Sequence, residues 1–323
     1  MAPTNSTARA LILANPRARR AGGPHWRKAA VAELSRRYAT DVEVPRSARD
    51  TTSLARAAAA AGVAVVVAGG GDGTINAVAE GLAGTSTALG ILPLGTANDL
   101  AREYRVPTSL EAAARRIVEG EAHAVDLVQI GDRVFCGVGG LALVARAALA
   151  VTHFKGRSAV ARRVADFLGR HVYRLSAAAA LLARWRLDDT VRIAYREPES
   201  GMRKMLDTRA SAVFVTNHRT LGGGLVLPID SSPSDGVMEI LYAPARSRHS
   251  LMLNFARLST GASIPPGVLL PLRANEATIT TGNDDAFVAD GELLAEGRKF
   301  ELRVLPKALR IIVGSSGFAV GEE

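Results

Sequence analysis

The sequence predicts an α/β N-terminal domain with a doubly wound, mostly parallel sheet, followed by a β-rich antiparallel second domain. Three observations predict it. Strand and helix signals alternate over residues 10–119. Two of the strands run through glycine turns directly into helices. After about residue 123 the alternation gives way to short strands separated by turn residues.

Along the chain, the apolar run 10–14 reads as a buried strand ending at Asn15-Pro16, and 26–38 as a helix with one polar face. A second helix is expected over 52–61, capped by Asp50 or Thr51. Residues 63–68 are apolar and β-branched without alternation, the pattern of a strand buried on both faces. A glycine turn then opens a helix at 75–82. A strand at 88–92 and helices at 97–104 and 110–119 complete this part. Residues 125–130 and 133–137 read as a strand pair around Gly131-Asp132. Helical signals at 141–152 and 160–186 are interrupted at Lys155-Gly156. Strands are expected at 191–195, 210–216, 236–242, 276–280, 286–289, 300–304 and 309–313, with one helix near 250–258.

The bulk properties narrow the classes. A chain of 323 residues holds one large domain or two of ordinary size. With 48% hydrophobic and 22% charged residues, disorder is not the expectation. The formal charge of +9, carried mostly by arginine because lysine occurs only five times, favours anionic partners such as nucleotides or acidic lipid headgroups. Nucleic acid is not expected, since the charge is spread along the chain and no groove-reading motif occurs. Cys136 is the single cysteine, so no disulfide forms within the chain, as suits a reducing compartment. The early apolar stretch is too short for a signal peptide, and Arg17, Arg19 and Arg20 follow it. The longest apolar run, 57–68, is twelve residues, whereas a membrane span needs about 18. No transmembrane segment and a cytoplasmic location are therefore expected.

The chemistry concentrates in two strings. In Val65-Val66-Val67-Ala68-Gly69-Gly70-Gly71-Asp72-Gly73-Thr74-Ile75-Asn76 a buried strand enters a glycine turn that opens a helix. Glycines let backbone amides approach a phosphate, and the helix start adds partial positive charge. Asp72 is the exception: a carboxylate beside a phosphate needs a cation or proton between them, a role Mg²⁺ fills. In Gly90-Ile91-Leu92-Pro93-Leu94-Gly95-Thr96-Ala97-Asn98-Asp99-Leu100-Ala101-Arg102 a strand again passes through a turn into a helix. Thr96 can cap that helix or donate to a phosphate. Asn98 and Asp99 fall in its first turn, where capping and dipole compensation would explain them equally well. Neither a Walker A loop nor G-x-G-x-x-G nor G-x-S-x-G occurs, and no histidine pair has helical zinc spacing.

Taken together, GGGDGTIN and LPLGTANDLAR resemble the diacylglycerol kinase catalytic family, which includes bacterial lipid kinases and the sphingosine and ceramide kinases. Asn15-Pro16, Val125-Asp126-Leu127, Thr216-Asn217, Gly222-Gly223-Gly224, Pro228, Asp235-Gly236-Val237-Met238 and Asp290-Gly291-Glu292 extend the match along nearly the whole chain. The resemblance implies a two-domain kinase with an interdomain cleft: residues 1–130 bind nucleotide, 131–307 hold the lipid acceptor, and about 308–323 return to the first domain. It implies ATP bound by Gly70, Gly71, Asp72, Gly73, Thr74, Ile75, Asn76, Thr96 and Asn98, with Asn15 at the edge. Asp72, Asp99 and Asp126 would reach the catalytic Mg²⁺ through carboxylates and water. Asp235, with backbone carbonyls near Ser232 and Val237, would hold a second, structural Mg²⁺. Glu292 or Asp290 would be the general base; Asp290-Gly291 taken alone is as well a hairpin turn. The chain departs from the family pattern at Ala77, at Val44-Pro45-Arg46, in the Pro228-to-Asp235 spacing with Asp230, and at Gly139-Gly140-Leu141.

The resemblance implies a lipid kinase peripheral to the membrane, acting on diacylglycerol or a related lipid alcohol. Alternatives are a kinase of a soluble acceptor such as NAD and a non-catalytic nucleotide-binding regulator. The segment 154–186 mixes arginines with Phe167, Tyr173 and Trp185, which suits either a membrane surface or a packed helix pair with solvated arginines. A homodimer stays open.

Overall fold

The computed structural model describes residues 8–16, 25–95, 97–158, 171–182, 188–221, 225–227 and 229–313. The chain forms two compact units: Met1–Val125 with Lys307–Glu323, and Asp126–Pro306.

The first unit is built on a parallel sheet. β1 (Arg9–Ala14) pairs with β2 (Ala39–Glu43) on one side and β3 (Val65–Gly70) on the other. β3 pairs with β4 (Ala88–Pro93). The last strand, β15 (Glu292–Val313), ends beside β4, Arg310 opposite Ala88 and Ile311 opposite Leu89. The order β2-β1-β3-β4 reverses direction between β1 and β3. Right-handed crossovers therefore place α1 (His25–Leu34) on one face, and α2 (Ala48–Ala60) and α3 (Asp72–Leu82) on the other. α4 (Asp99–Glu103) and α5 (Leu110–Glu119) follow β4. Every residue of β3 and β4 is buried, which explains their unbroken apolar runs.

Three boundaries differ from expectation. α2 starts at Ala48 because the Ser47 hydroxyl accepts the Asp50 N–H at 3.1 Å; Asp50 sits in the first turn rather than at the cap. α3 begins at Asp72, directly on the glycine turn. α4 is shorter than 97–104 because Asn98 has φ of 52°, a left-handed conformation that cannot continue a helix.

The second unit is antiparallel. β5 (Glu121–Ile130) and β6 (Arg133–Phe135) form the expected hairpin. β7 (Val138–Ala142) pairs with β9 (Arg203–Thr216) and β14 (Glu276–Ala289), while β8 (Asp189–Arg196) pairs with both at other positions along them. β12 (Met238–Pro244) joins β9 to β13 (Leu270–Ala274). β10 (Thr220–Leu221) and β11 (Leu225–Val226) make a small separate hairpin. Phe135, Phe287 and Phe300 pack as tilted rings through the core, centroids 5.7 and 6.0 Å apart. β14 and β15 are long strands where four short ones were expected. The polar stretch after Thr280 is a register shift within β14, not a turn between strands.

Three helices accompany these strands. α6 (Leu143–Arg157) runs through Lys155-Gly156 without the expected break, and Ser176 of α7 (His171–Leu182) donates to the Ala147 carbonyl at 2.9 Å. The rest of the expected helix at 160–186 lies outside the described residues. α8 (Arg248–Thr260) is capped by Ser247 and ends at Gly261. Among the described residues no helix is long and apolar enough to cross a membrane.

Candidate active site

In the first unit the chemistry gathers at the carboxyl ends of β1, β3 and β4, beside the point where strand order reverses, a frequent ligand position in open α/β sheets. Asn15 follows β1. Its N–H donates to the Gly69 carbonyl at 2.9 Å and its side-chain amide to Thr74 Oγ1 at 3.0 Å, tying the first turn to the third strand. The Thr74 hydroxyl stands over Gly70: a Cβ there would lie 2.2 Å from it. Gly71 precedes α3 without any side-chain cap, so the helix start keeps amides for an anion. Ile75 and Asn76 are buried and anchor that start in the unit.

The second turn packs on the first. A Cβ on Gly95 would come within 2.4 Å of the Gly71 Cα, so Gly95 must be glycine, while one on Gly71 would meet the Gly95 Cα at a tight 3.1 Å. Asn98 closes the second turn on itself: its Oδ1 accepts the Gly95 N–H, and its Nδ2 donates to the Gly95 carbonyl, each at 3.0 Å. Asp72 joins the two strings, its Oδ1 accepting the Leu100 N–H of α4 at 2.9 Å. Although its surface is partly exposed, Asp72 sits among dense protein. Burial raises its carboxyl above the usual range, against the pull of the Leu100 and Asp99 backbone amides. Asp99 pairs with Arg102. Thr96 lies outside the described residues.

The second unit carries the other candidates. Asp126, fully buried, is held on three sides. Its carboxylate accepts the Gly236 N–H at 2.6 Å, its N–H donates to Pro233 at 2.7 Å, and its carbonyl accepts from the Asn217 side chain at 3.0 Å. Asp290 and Gly291, with φ of 50° and 82°, form a tight hairpin turn between β14 and β15. The Asp290 carboxylate accepts the N–H groups of Gly137 at 3.1 Å and Val138 at 3.2 Å. Glycine at 137 lets this carboxylate approach: a Cβ there would lie 1.9 Å from Asp290 Oδ1 and displace it. Glu292 instead opens β15 one-third exposed and pairs with the Arg133 guanidinium at 3.5 Å. The geometry thus distinguishes the two carboxylates: Asp290 accepts from backbone, and Glu292 is partly exposed beside a cation.

The loop before β12 does not fit a second Mg²⁺. Asp235 Oδ1 accepts the Val237 N–H at 3.1 Å, and Oδ2 accepts from Arg273 Nη2 at 2.9 Å. Ser232 Oγ lies 3.4 Å from Ser234 Oγ. Among the described residues no three or more His, Cys, Asp or Glu side chains gather as a metal site. Mg²⁺ commonly takes only one or two carboxylates together with substrate phosphates, so in the first unit Asp72, a hard oxygen donor beside the glycine turn, fits such a role.

Glu239 and Arg273 were not singled out by the sequence: Glu239 reads as an ordinary residue of the strand expected at 236–242, and Arg273 falls where no strand is expected. Register makes them cross-strand partners. The Glu239 side chain is only 2% exposed, and Ser231 donates to its Oε2 at 2.6 Å. Burial pushes its carboxyl up to about 7; Ser231 opposes this, nearby Asp235 adds to it and Arg273 opposes it. A raised folded-state pKa means that Glu239 weakens the fold once ionised, and that cost grows as pH rises from the unfolded value toward 7. Glu239→Gln is therefore expected to gain stability over the parent between pH 5 and pH 8, by up to roughly 3 kcal/mol, in paired denaturant titrations. An equal difference at both pH values would contradict it.

Comparison with known proteins matches this geometry to a family. Residues 9–130 match the model described as diacylglycerol kinase catalytic domain. Residues 154–313 match the model described as YegS C-terminal NAD kinase β-sandwich-like domain. A Yersinia pestis (strain Pestoides F) protein named "Probable lipid kinase YegS-like" is 31% identical over 260 residues, covering 75% of this chain and 76% of that one. The chain belongs to the diacylglycerol kinase catalytic-domain family. Family membership makes it a lipid-kinase-like protein of two domains, the second a β-sandwich. A Yersinia pseudotuberculosis (serotype O:1b) protein of the same name matches at the same identity and coverage. In fold, the family member superposes on a solved Bacillus anthracis chain described as a diacylglycerol kinase, with a TM-score of 0.71 over 96% of this chain and 98% of that one, at 19% identity. Another solved chain from that organism reaches a TM-score of 0.78 over 98% and 99%, at 20% identity.

Proposed function

We propose that this chain transfers the γ-phosphoryl group of ATP to a hydroxyl group of diacylglycerol or a related lipid alcohol. The observation that carries this is the pair of glycine turns packed on each other and joined by Asp72, in a chain of this kinase family. Phosphoryl transfer depends on positioning and charge neutralisation more than on covalent chemistry. The amides at the start of α3, residues 71–73, take the nucleotide phosphates, with Asn15 at the edge and the turn closed by Asn98 beside them. Asp72 would hold a Mg²⁺ ion directly or through water, and that ion would supply neutralisation of the phosphate charge. Glu292 takes the proton from the acceptor hydroxyl, with Arg133 setting its direction. Asp290 and Asp126 act as positioning residues, fixing the backbone around Gly137 and Gly236. The acceptor is met at a membrane surface, to which a net charge of +9 draws the protein from the cytoplasm.

A soluble acceptor is the second reading, favoured by the NAD-kinase-like description of the C-terminal model. Mg²⁺-dependent ATP turnover measured with diacylglycerol micelles, other lipid alcohols or NAD separates the two. Stimulation by a lipid alcohol and none by NAD is expected. Stimulation by NAD alone would replace the lipid reading.

A further inference from the structure

We propose that Arg273 serves as the built-in cation of the loop formed by residues 231–237, so that this loop is held without a divalent metal. Three carboxylates converge on this one guanidinium. Nη2 donates to Asp235 Oδ2 at 2.9 Å, Nη1 to Glu199 Oε1 at 2.6 Å, and Nε lies 3.9 Å from Glu239 Oε1. The position is dictated by the fold. β12 and β13 are antiparallel neighbours whose register sets Arg273 directly opposite Glu239. Glu239 Oε1 is buried with no hydrogen-bond donor, and Asp235 projects from the loop just before β12. The site thus gathers three carboxylates, one of them buried, around one cation, and a planar guanidinium with five donors can serve several carboxylates at once. A metal at Asp235 would have to displace Arg273 and sit beside its positive charge.

The clamp bears on the reaction proposed above, and in that respect it rests on that reading. The loop held by Arg273 supplies two of the groups that fix Asp126, the Gly236 N–H and the Pro233 carbonyl. Arg273 is therefore a positioning residue, acting through the loop on Asp126, rather than a catalytic one.

The test is thermal unfolding of the full chain without nucleotide, in EDTA and in millimolar MgCl₂ or CaCl₂. It needs no activity, so its failure is distinct from failure of the kinase reading. The wild-type Tm is expected to be the same in all three. Arg273→Met is expected to melt roughly 2–4 °C lower in EDTA and to recover part of that loss with either cation. Arg273→Lys, which keeps the charge but loses the fork, is expected to fall between them and serves if Arg273→Met does not fold. A gain of destabilisation alone is what any packing residue would give; the acquired response to metal is specific to a vacated cation position. A wild-type Tm raised by Mg²⁺ or Ca²⁺ and no longer raised in Asp235→Asn would overturn the proposal. So would variants that melt like wild type, or that lose stability without any metal response.

Discussion

Glu292→Gln is expected to lower kcat for phosphoryl transfer by about 10²–10⁴-fold, the usual contribution of a positioned general base, and to leave Tm nearly unchanged. The Glu292–Arg133 ion pair is one-third exposed on both sides, and such pairs contribute roughly 0–1 kcal/mol. Asp290→Ala should behave in the opposite way. It leaves the Gly137 and Val138 amides without their acceptor and costs about 1–3 kcal/mol of stability. Its activity then falls in step with the loss of ordered protein. Steady-state kinetics beside calorimetry on both variants separates the roles. A Glu292→Gln enzyme with parental kcat would move the base elsewhere.

The second large effect is expected at Asp72. Asp72→Asn keeps an oxygen for the Leu100 N–H but removes the charge that would meet Mg²⁺ near the phosphates. A loss of about 10²–10³-fold in kcat is expected, the scale of removing one electrostatic contact at a reacting centre. The fold should not suffer. Burial holds the Asp72 carboxyl above its usual range, so the ionised side chain costs stability at neutral pH, and the neutral amide is expected to melt at or above the wild-type temperature. A Tm well below wild type would show that the carboxylate's charge is structural instead.

The contrast between these two sites reflects what the sequence makes visible. The parallel unit was legible because its strands are buried on both faces and punctuated by glycine turns; β1, β3 and β4 fall within a residue or two of their apolar runs. β2 escaped because an edge strand that reads Ala-Thr-Asp-Val-Glu, with no buried residue, has no apolar signature. β7 escaped because two of its five residues are glycine. The structure gives the reason: a Cβ on Gly139 would strike the Phe287 ring at 2.6 Å, and one on Gly140 the Val213 carbonyl at 2.4 Å. Close approach of neighbours, invisible in one dimension, forces residues that local propensity reads as loop.

The site divides along the same line. Local turn chemistry announces itself, so the two glycine strings and the Asp290-Gly291 hairpin could be found by eye. Which carboxylate is occupied by backbone amides could not, because the Gly137 and Val138 partners of Asp290 lie more than 150 residues away. The same holds for Arg273, whose meeting with Asp235 and Glu239 depends on strand register. The proposed guanidinium in the loop at 231–237 rests on that long-range pairing.

Whether this chain phosphorylates a lipid hydroxyl is read from the mass of lipids in the organic phase. The wild-type protein would be incubated with ATP, Mg²⁺ and diacylglycerol-containing micelles, and the extracted lipids weighed for an added phosphoryl group. A phosphomonoester of the lipid is expected with wild type and its loss with Glu292→Gln. ATP consumption with no phosphorylated lipid in the organic phase, across diacylglycerol and the other lipid alcohols, would contradict it.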